Sequence, residues 1–497
     1  MNFVEAMNEE LTHVYTENGA KAKNTSGDAC LDFFGTVGAL RSADKHRIIK
    51  LFDAAWNENP LVTLRILFYA RDIRGGLGER DTFRKLLRHA ANKCTADIKA
   101  NMKFIPEYGR WDDLLYGFIQ TKCESDMWAF IKETLQADLK AMDDGEPVSL
   151  LAKWLHNGNE SSKRSRALGI LTANKLGYSV YEFKRLIVSL RKYMDIVEAK
   201  MSTNRWSEIN YEHVPSRASM IYRNAFRHHD DERYSAYLDS VRSGNAKIHA
   251  DTLYPYDIVN KILSMIRDYD SDESQRETLE LLWNNLPNYV ESGSNVMVIA
   301  DTSGSMLCSN RRPFATALGL AIYFAQRNVG PYHNYWMSFS ERPKFHKIKD
   351  ESLYDIIKYF DTRDWGSNTN LKAAFELILQ TAYDNHVPSE EIPKSLIVIS
   401  DMEIDDCQSG GWSFYTHMKA KYESLGYQIP NVVFWNVESR HNIFHADNKR
   451  EGVQLVSGSS PTSFKALISA IGMTPIEFML SVINSERYSR IHLASAK

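Results

Sequence analysis

The chain has 497 residues, a formal net charge of −3, 43% hydrophobic and 25% charged residues. That length supports two or more domains with full cores, and the composition is that of an ordinary globular protein. Near-neutrality excludes a global field that draws nucleic acid or an anionic membrane.

The N-terminal arm, residues 1–24, is acidic and polar with no apolar signal core. No stretch of the chain approaches the ~20 apolar residues of a membrane span. Cys30, Cys94, Cys123, Cys308 and Cys407 are scattered without C-x-x-C spacing, which reads as reduced thiols, neither a disulfide framework nor a zinc site. The expected location is the cytoplasm, with no membrane partner.

From residue 25 to 290 apolar residues recur at three- and four-residue spacing, as in Ile48–Leu51–Ala55, Phe83–Leu86–Leu87 and Leu186–Ile187–Leu190. This is a helical period. Short Gly-, Pro- and Asn-bearing turns separate the segments, which predicts helical hairpins stacked in a degenerate solenoid. The stretch RDIRGGLGER (Arg71–Arg80) has two readings. Its glycines allow a phosphate cradle flanked by Arg71, Arg74 and Arg80, or a tight interhelical turn whose arginines pair with Asp72, Glu79 and Asp81. In EYGRWDDLL (Glu107–Leu115), Asp112 and Asp113 read as helix-start carboxylates that satisfy free amides.

Charge is uneven within this region. Residues 153–249 hold 17 Lys/Arg against 10 Asp/Glu, with Tyr178, Tyr181, Tyr193, Trp206, Tyr211, Tyr222 and Phe226 interleaved. Basic side chains contact phosphates and aromatics stack on unpaired bases, so the mixture suits single-stranded RNA. A salt-bridged helical surface over an aromatic core reads the same way. The best candidates for phosphate contacts are Lys163, Arg164, Arg185, Arg191, Arg223 and Arg227.

Past Glu291–Ser294, a plausible hinge, strands and helices alternate. Val296–Ala300, His333–Phe339, Leu396–Ser400, Asn431–Asn436 and Val453–Ser457 read as strands. Phe314–Asn328, Leu353–Phe360, Leu371–Ala382, Trp412–Leu425 and Ser463–Ile471 read as helices. That order predicts a doubly wound parallel α/β sheet over 291–475, followed by a helical C-terminal tail over 476–497.

Two predicted strands end in carboxylates, Asp301 and Asp401, and ligands of open α/β sheets bind at the carboxyl ends of strands. The loop DTSGS adds the hydroxyls of Ser303 and Ser305, and the polar turn DWGSNTNL adds Thr369. Alone, DTSGS reads equally as helix capping. The five oxygens together suit a hard divalent ion, Mg²⁺ or Mn²⁺, with a coordination position left open. An enzyme is not indicated: Ser303 sits in no nucleophile elbow, no local His activates it, and DTSGS lacks the second carboxylate of a D-x-D loop.

The constellation D-x-S-x-S…T…D resembles the metal-ion-dependent adhesion site of von Willebrand factor A domains. TENGA, CLDFF, RDIRGGLGERDTF, IPEYGRWDDLL, VPSRA, LYPYDIV, DTSGS and DWGSNT together resemble the Ro autoantigen (TROVE) class, and more closely a Ro-related family of the same two-part layout. The resemblance implies a ring of HEAT-type helical repeats joined to a von Willebrand factor A domain, and noncatalytic binding of small noncoding or defective RNAs. The alternative is a protein-interaction scaffold whose metal receives an acidic residue from a partner protein.

Overall fold

The computed structural model describes residues 7, 10–269, 272–290, 295–339, 342–363, 369–405 and 414–494. The expected hinge Glu291–Ser294, Asp364–Asn368 of the polar turn, and Cys407 lie outside the described residues.

A mostly helical region precedes a mixed α/β region. The first strands, β1 (His13–Tyr15) and β2 (Lys21–Lys23), form a small antiparallel hairpin. The remaining six, β3 (Val296–Asp301), β4 (Tyr335–Phe339), β5 (Lys344–Lys347), β6 (Ser395–Ser400), β7 (Asn431–Asn436) and β8 (Val453–Ser457), form one sheet in the order β5-β4-β3-β6-β7-β8. Only β5 runs antiparallel, against β4. Successive strand residues point to opposite faces. Every residue of β3, β6 and β8 is buried, so both faces of the sheet are covered, which is why β3 and β6 read as near-continuous apolar runs. All five strands expected from the sequence are present. The additions are β5, where only His346 is buried, and the β1–β2 hairpin.

The chain divides into two compact units, each discontinuous in sequence. The first comprises Met1–Ala70, Arg74–Thr82 and Ala250–Arg490; the second comprises Arg71–Ile73, Phe83–His249 and Ile491–Lys497. The change of pattern near residue 290 marks the start of the sheet, whereas compactness follows packing. The helix Ala29–Thr36, capped by Asp28 through Leu31 N at 2.7 Å, lies against β8. There Gly38 N donates to Ser457 Oγ at 3.0 Å, and a Cβ on Gly38 would stand 2.7 Å from the Ser457 carbonyl. The tail forms helices Pro475–Ile483 and Glu486–Ser489, and Phe478 meets Phe34 edge-on at 6.2 Å.

The second unit is helical. Its longest helices are Glu124–Asp143, Lys163–Leu176, Val180–Tyr193 and Ser216–Arg242, the last broken at Asp230. Ser179 and Glu182 form a reciprocal capping box at the start of Val180–Tyr193. Among the described residues no helix is long and apolar enough to cross a membrane. The four described cysteines form no disulfide, and burial pushes the thiols of Cys30 and Cys94 up to about 12.

Arg71, the first residue of RDIRGGLGER, meets EYGRWDDLL in this unit, whereas Arg74–Arg80 belong to the first unit. Asp113, in the first turn of Asp112–Phe118, is fully buried and accepts from Arg71 Nε at 2.7 Å and Arg84 Nε at 2.6 Å. Asp112 pairs with Arg84 at 2.8 Å and Arg110 at 3.2 Å. Both carboxylates stand in the first helical turn as expected, where Asp113 Oδ2 also accepts from the Arg110 amide at 2.9 Å, and they are in addition the centres of an ion-pair network. Within RDIRGGLGER, Glu79 is held bidentately by Arg41, and Arg80 pairs with Asp81 at 3.0 Å. Gly78 adopts φ +66°, and a Cβ there would meet Tyr254 Oη at 2.5 Å. The motif forms a tight turn, with Glu79 paired outside the motif.

Candidate metal centre

The chain runs from β3 outward to β4 and β5, then returns to lay β6 on the other side of β3. Strand order reverses there, which opens a crevice at the carboxyl ends of the two strands. Parallel register puts Ala300 beside Ile399, so Asp301 and the Ser400–Asp401 step stand side by side.

Asp301 is fully buried. Its Oδ1 accepts from Ser303 N at 2.9 Å and its Oδ2 from Ser400 Oγ at 2.7 Å. Ser400 Oγ also lies 3.5 Å from Asp401 Oδ1, so one hydroxyl spans two carboxylates. Ser303 and Ser305 hold their Oγ atoms 3.0 Å apart. Burial, and then the facing charge of Asp401, push the Asp301 carboxyl well above the ordinary carboxylate range.

Thr369 is fully buried, and the loop after β6 ties it down. Its amide donates to Asp405 Oδ2 at 2.8 Å, and Asp405 N returns a bond to its carbonyl at 3.0 Å. Asp301, Ser303, Ser305 and Asp401 thus gather at two adjacent strand ends, and Thr369 is fastened to the loop that continues from Asp401. The donor set is all oxygen, which fits Mg²⁺ or Mn²⁺ better than a thiolate-seeking ion. Two facing buried carboxylates are also the arrangement that a divalent cation relieves.

Several participants lie outside the five expected ligands. Arg440, in the loop after β7, donates to Asp401 Oδ2 at 2.8 Å and to Glu17 Oε2 at 2.5 Å. Glu17, in the turn between β1 and β2, donates its amide to Glu403 Oε2 at 2.7 Å. Asn18 Nδ2 donates to Glu403 O at 2.6 Å and Thr369 Oγ1 at 3.3 Å. Glu403 is 1% exposed and meets His441 Nδ1 at 2.9 Å. The ligand atoms of Glu17, Glu403 and His441 lie within 4.8 Å of one another. Asp28, Cys30 and Glu58 form a second such group. There Asp28 caps a helix, Glu58 accepts from Cys30 N at 2.8 Å, and the thiol is pushed up to about 12, so the thiolate a metal needs is disfavoured. The sequence signals for the first group are TENGA and the Glu two residues after Asp401; Arg440 has none.

The six basic residues separate by environment. Lys163, Arg164 and Arg185 are exposed on the helices Lys163–Leu176 and Val180–Tyr193. Arg185 lies over the exposed ring of Tyr181, 5.8 Å from its centroid. Arg191 spends its donors on the carbonyls of Ala152 at 2.9 Å and Leu155 at 2.6 Å. Arg223 is buried and donates to Met220 O. Arg227 pairs with Asp231 at 3.1 Å and Ser235 at 2.5 Å. Arg223 is thus buried and Arg191 half-buried against chain carbonyls, unlike the three exposed residues. Tyr211, Phe226 and Tyr234 are likewise a core cluster, with centroids 5.0–5.4 Å apart.

Family models match two portions of the chain: a Domain of unknown function (DUF2828) over residues 16–107 and 148–294, and a Domain of unknown function (DUF7788) over residues 295–486. The chain is 28% identical to Uncharacterized protein L728 of Acanthamoeba polyphaga mimivirus, over 94% of this chain and 87% of that protein. Among solved structures it is similar to the Deinococcus radiodurans RO (RSR) protein, at 14% identity and a TM-score of 0.42, over 87% of this chain and 92% of that one.

Proposed function

We propose that the protein is a noncatalytic RNA-binding protein of the cytoplasm with a divalent-cation adhesion centre. In this reading a HEAT-like helical solenoid, residues 25–290, carries the RNA surface. A doubly wound von Willebrand factor A-like domain, residues 291–475, carries the metal. Asp301, Ser303, Ser305, Thr369 and Asp401 hold Mg²⁺ or Mn²⁺ and leave one position for an outside oxygen, such as the carboxylate of a partner protein.

The observation that carries the metal reading is the meeting of Asp301 and Asp401, bridged by Ser400, where strand order reverses. Asp301 and Asp401 would hold and orient the cation, which when bound would supply charge to offset the two carboxylates and a position for an acidic group. For RNA, support comes from Lys163, Arg164 and Arg185 exposed on two consecutive helices beside Tyr181. These offer phosphate contacts and a stacking face.

Calorimetry with Mg²⁺ and Mn²⁺ tests the first half: wild type binds, and Asp301→Ala does not. A fluorescent single-stranded RNA tests the second. Its affinity should fall with salt at a slope of about −0.7 per phosphate contact, and Asp301→Ala should leave it unchanged. A flat response at low salt removes RNA and leaves a metal-dependent scaffold.

A further inference from the structure

Besides the Ser400 bond to Asp301, two of the five proposed cation ligands accept a hydrogen bond from loops outside β3 and β6. Asp401 Oδ2 accepts from Arg440 Nη2 at 2.8 Å, and Thr369 Oγ1 accepts from Asn18 Nδ2 at 3.3 Å. The first contact matters more. The Asp401 side chain has no exposure while Arg440 retains 26%, so the guanidinium lies between that carboxylate and solvent. Arg440 is also braced from behind: its Nη1 donates to Glu17 Oε2 at 2.5 Å, and the Glu17 amide is pinned to Glu403 at 2.7 Å. A positive charge fixed in this way repels an incoming cation and competes with it for one oxygen.

We propose that Arg440 is a built-in competitor for the divalent cation, so that it sets the affinity of the centre and cation binding loosens the Thr16–Ala20 turn. This rests on the reading of Asp301 and Asp401 as cation ligands. A cation that draws in Asp401 Oδ2 leaves Arg440 with Glu17 alone, and one that takes Thr369 Oγ1 weakens the Asn18 contact. Coupling of this kind is reciprocal: what the docked turn subtracts from cation affinity, the cation subtracts from the docking of the turn. A purely structural Arg440 has the opposite sign, because its loss would loosen the loop that presents Asp401 and weaken cation binding.

The test is calorimetric titration of Mg²⁺ into the full chain and its Arg440→Gln variant, with hydrogen exchange of residues 16–20 followed with and without Mg²⁺. Arg440→Gln should bind about ten-fold more tightly, within the usual 5–150-fold span of such couplings. Mg²⁺ should speed exchange in the turn of the wild type and do so less in the variant. Arg440→Lys keeps the charge without the planar fork and should fall between. Equal or weaker binding in both variants overturns the competitor role. If Asp301→Ala abolishes binding while Arg440→Gln changes nothing, only that role fails; if the wild type binds no Mg²⁺, the metal centre fails with it.

Discussion

Arg71 Nε donates to Asp113 Oδ2 at 2.7 Å with both side chains almost wholly buried, 3% and 0% exposed. Through this bond Arg71 and EYGRWDDLL are tied within one compact unit. Gly109 belongs to it, since a Cβ there would stand 2.4 Å from Asp113 Oδ2. Arg71→Met should cost about 3 kcal/mol, the low end for breaking a buried pair, because Arg84 still holds the other oxygen. Adding Asp113→Asn should recover part of that loss, since the stranded charge is removed. Denaturant midpoints of the two variants check this.

Gly38 and Gly35 should respond oppositely to alanine. At Gly38 a methyl would meet Ser457 backbone at 2.7 Å, whereas at Gly35 it would rest 3.4 Å from Leu455 Cβ. Gly38→Ala should destabilise by about 1–3 kcal/mol through overpacking. Gly35→Ala, inside a helix, should be neutral or gain about 0.5–1 kcal/mol. Thermal melts of both distinguish a backbone contact from mere proximity.

Burial lowers the imidazoles of His346 and His445 from 6.5 to about 4. His445 meets Met402 O at 3.0 Å through Nε2 and His346 meets Ser338 Oγ at 2.8 Å; a carbonyl only accepts, so Nε2 of His445 carries the proton. A folded value below the unfolded one means stability is fully present above pH 6.5 and is lost as pH falls toward 4. His445→Gln keeps a donor without titrating. The variant should therefore show a shallower decline in stability between pH 6.5 and 4, measured by denaturation at stepped pH.

The basic residues should separate into two classes by measurement. Replacing Lys163, Arg164 and Arg185 together by Glu should reduce the salt slope of RNA binding by about 2, at roughly 0.7 per contact, and leave the melting temperature nearly unchanged. Arg191→Ala should do the reverse, because it strips donors from the carbonyls of Ala152 and Leu155. That loss should lower stability by about 1–3 kcal/mol per stranded group without touching the slope.

Legibility in the sequence followed burial. β3 and β6 were readable because every interior position is apolar, and the carboxylates at their carboxyl ends pointed to the crevice. β5 was not, since KFHK presents one buried residue, a histidine, and takes its form from pairing with β4. The β1–β2 hairpin is short and polar for the same reason. Asp301, Ser303, Ser305 and Asp401 could be grouped from strand-end chemistry alone. Arg440, Glu17 and Asn18 could not, because their contacts join loops that only tertiary structure brings together. For Asp112 and Asp113 the place in a first helical turn was visible in sequence, whereas their pairing with the distant Arg71 and Arg84 was not.

The lodging of Ala29–Thr36 against β8 bears on how the protein is made. A ribosome releases residues 1–70 long before residues 250–490 that complete their compact unit. The residues 83–249 between them can fold as they emerge, since domains form as units during synthesis. Phe34, at most 2% exposed in the finished molecule, has Tyr69 beside it early but spends most of translation without Phe478. This apolar helix is thus a segment in need of protection by a chaperone, because its β8 face is covered only when Val453–Ser457 leaves the exit tunnel.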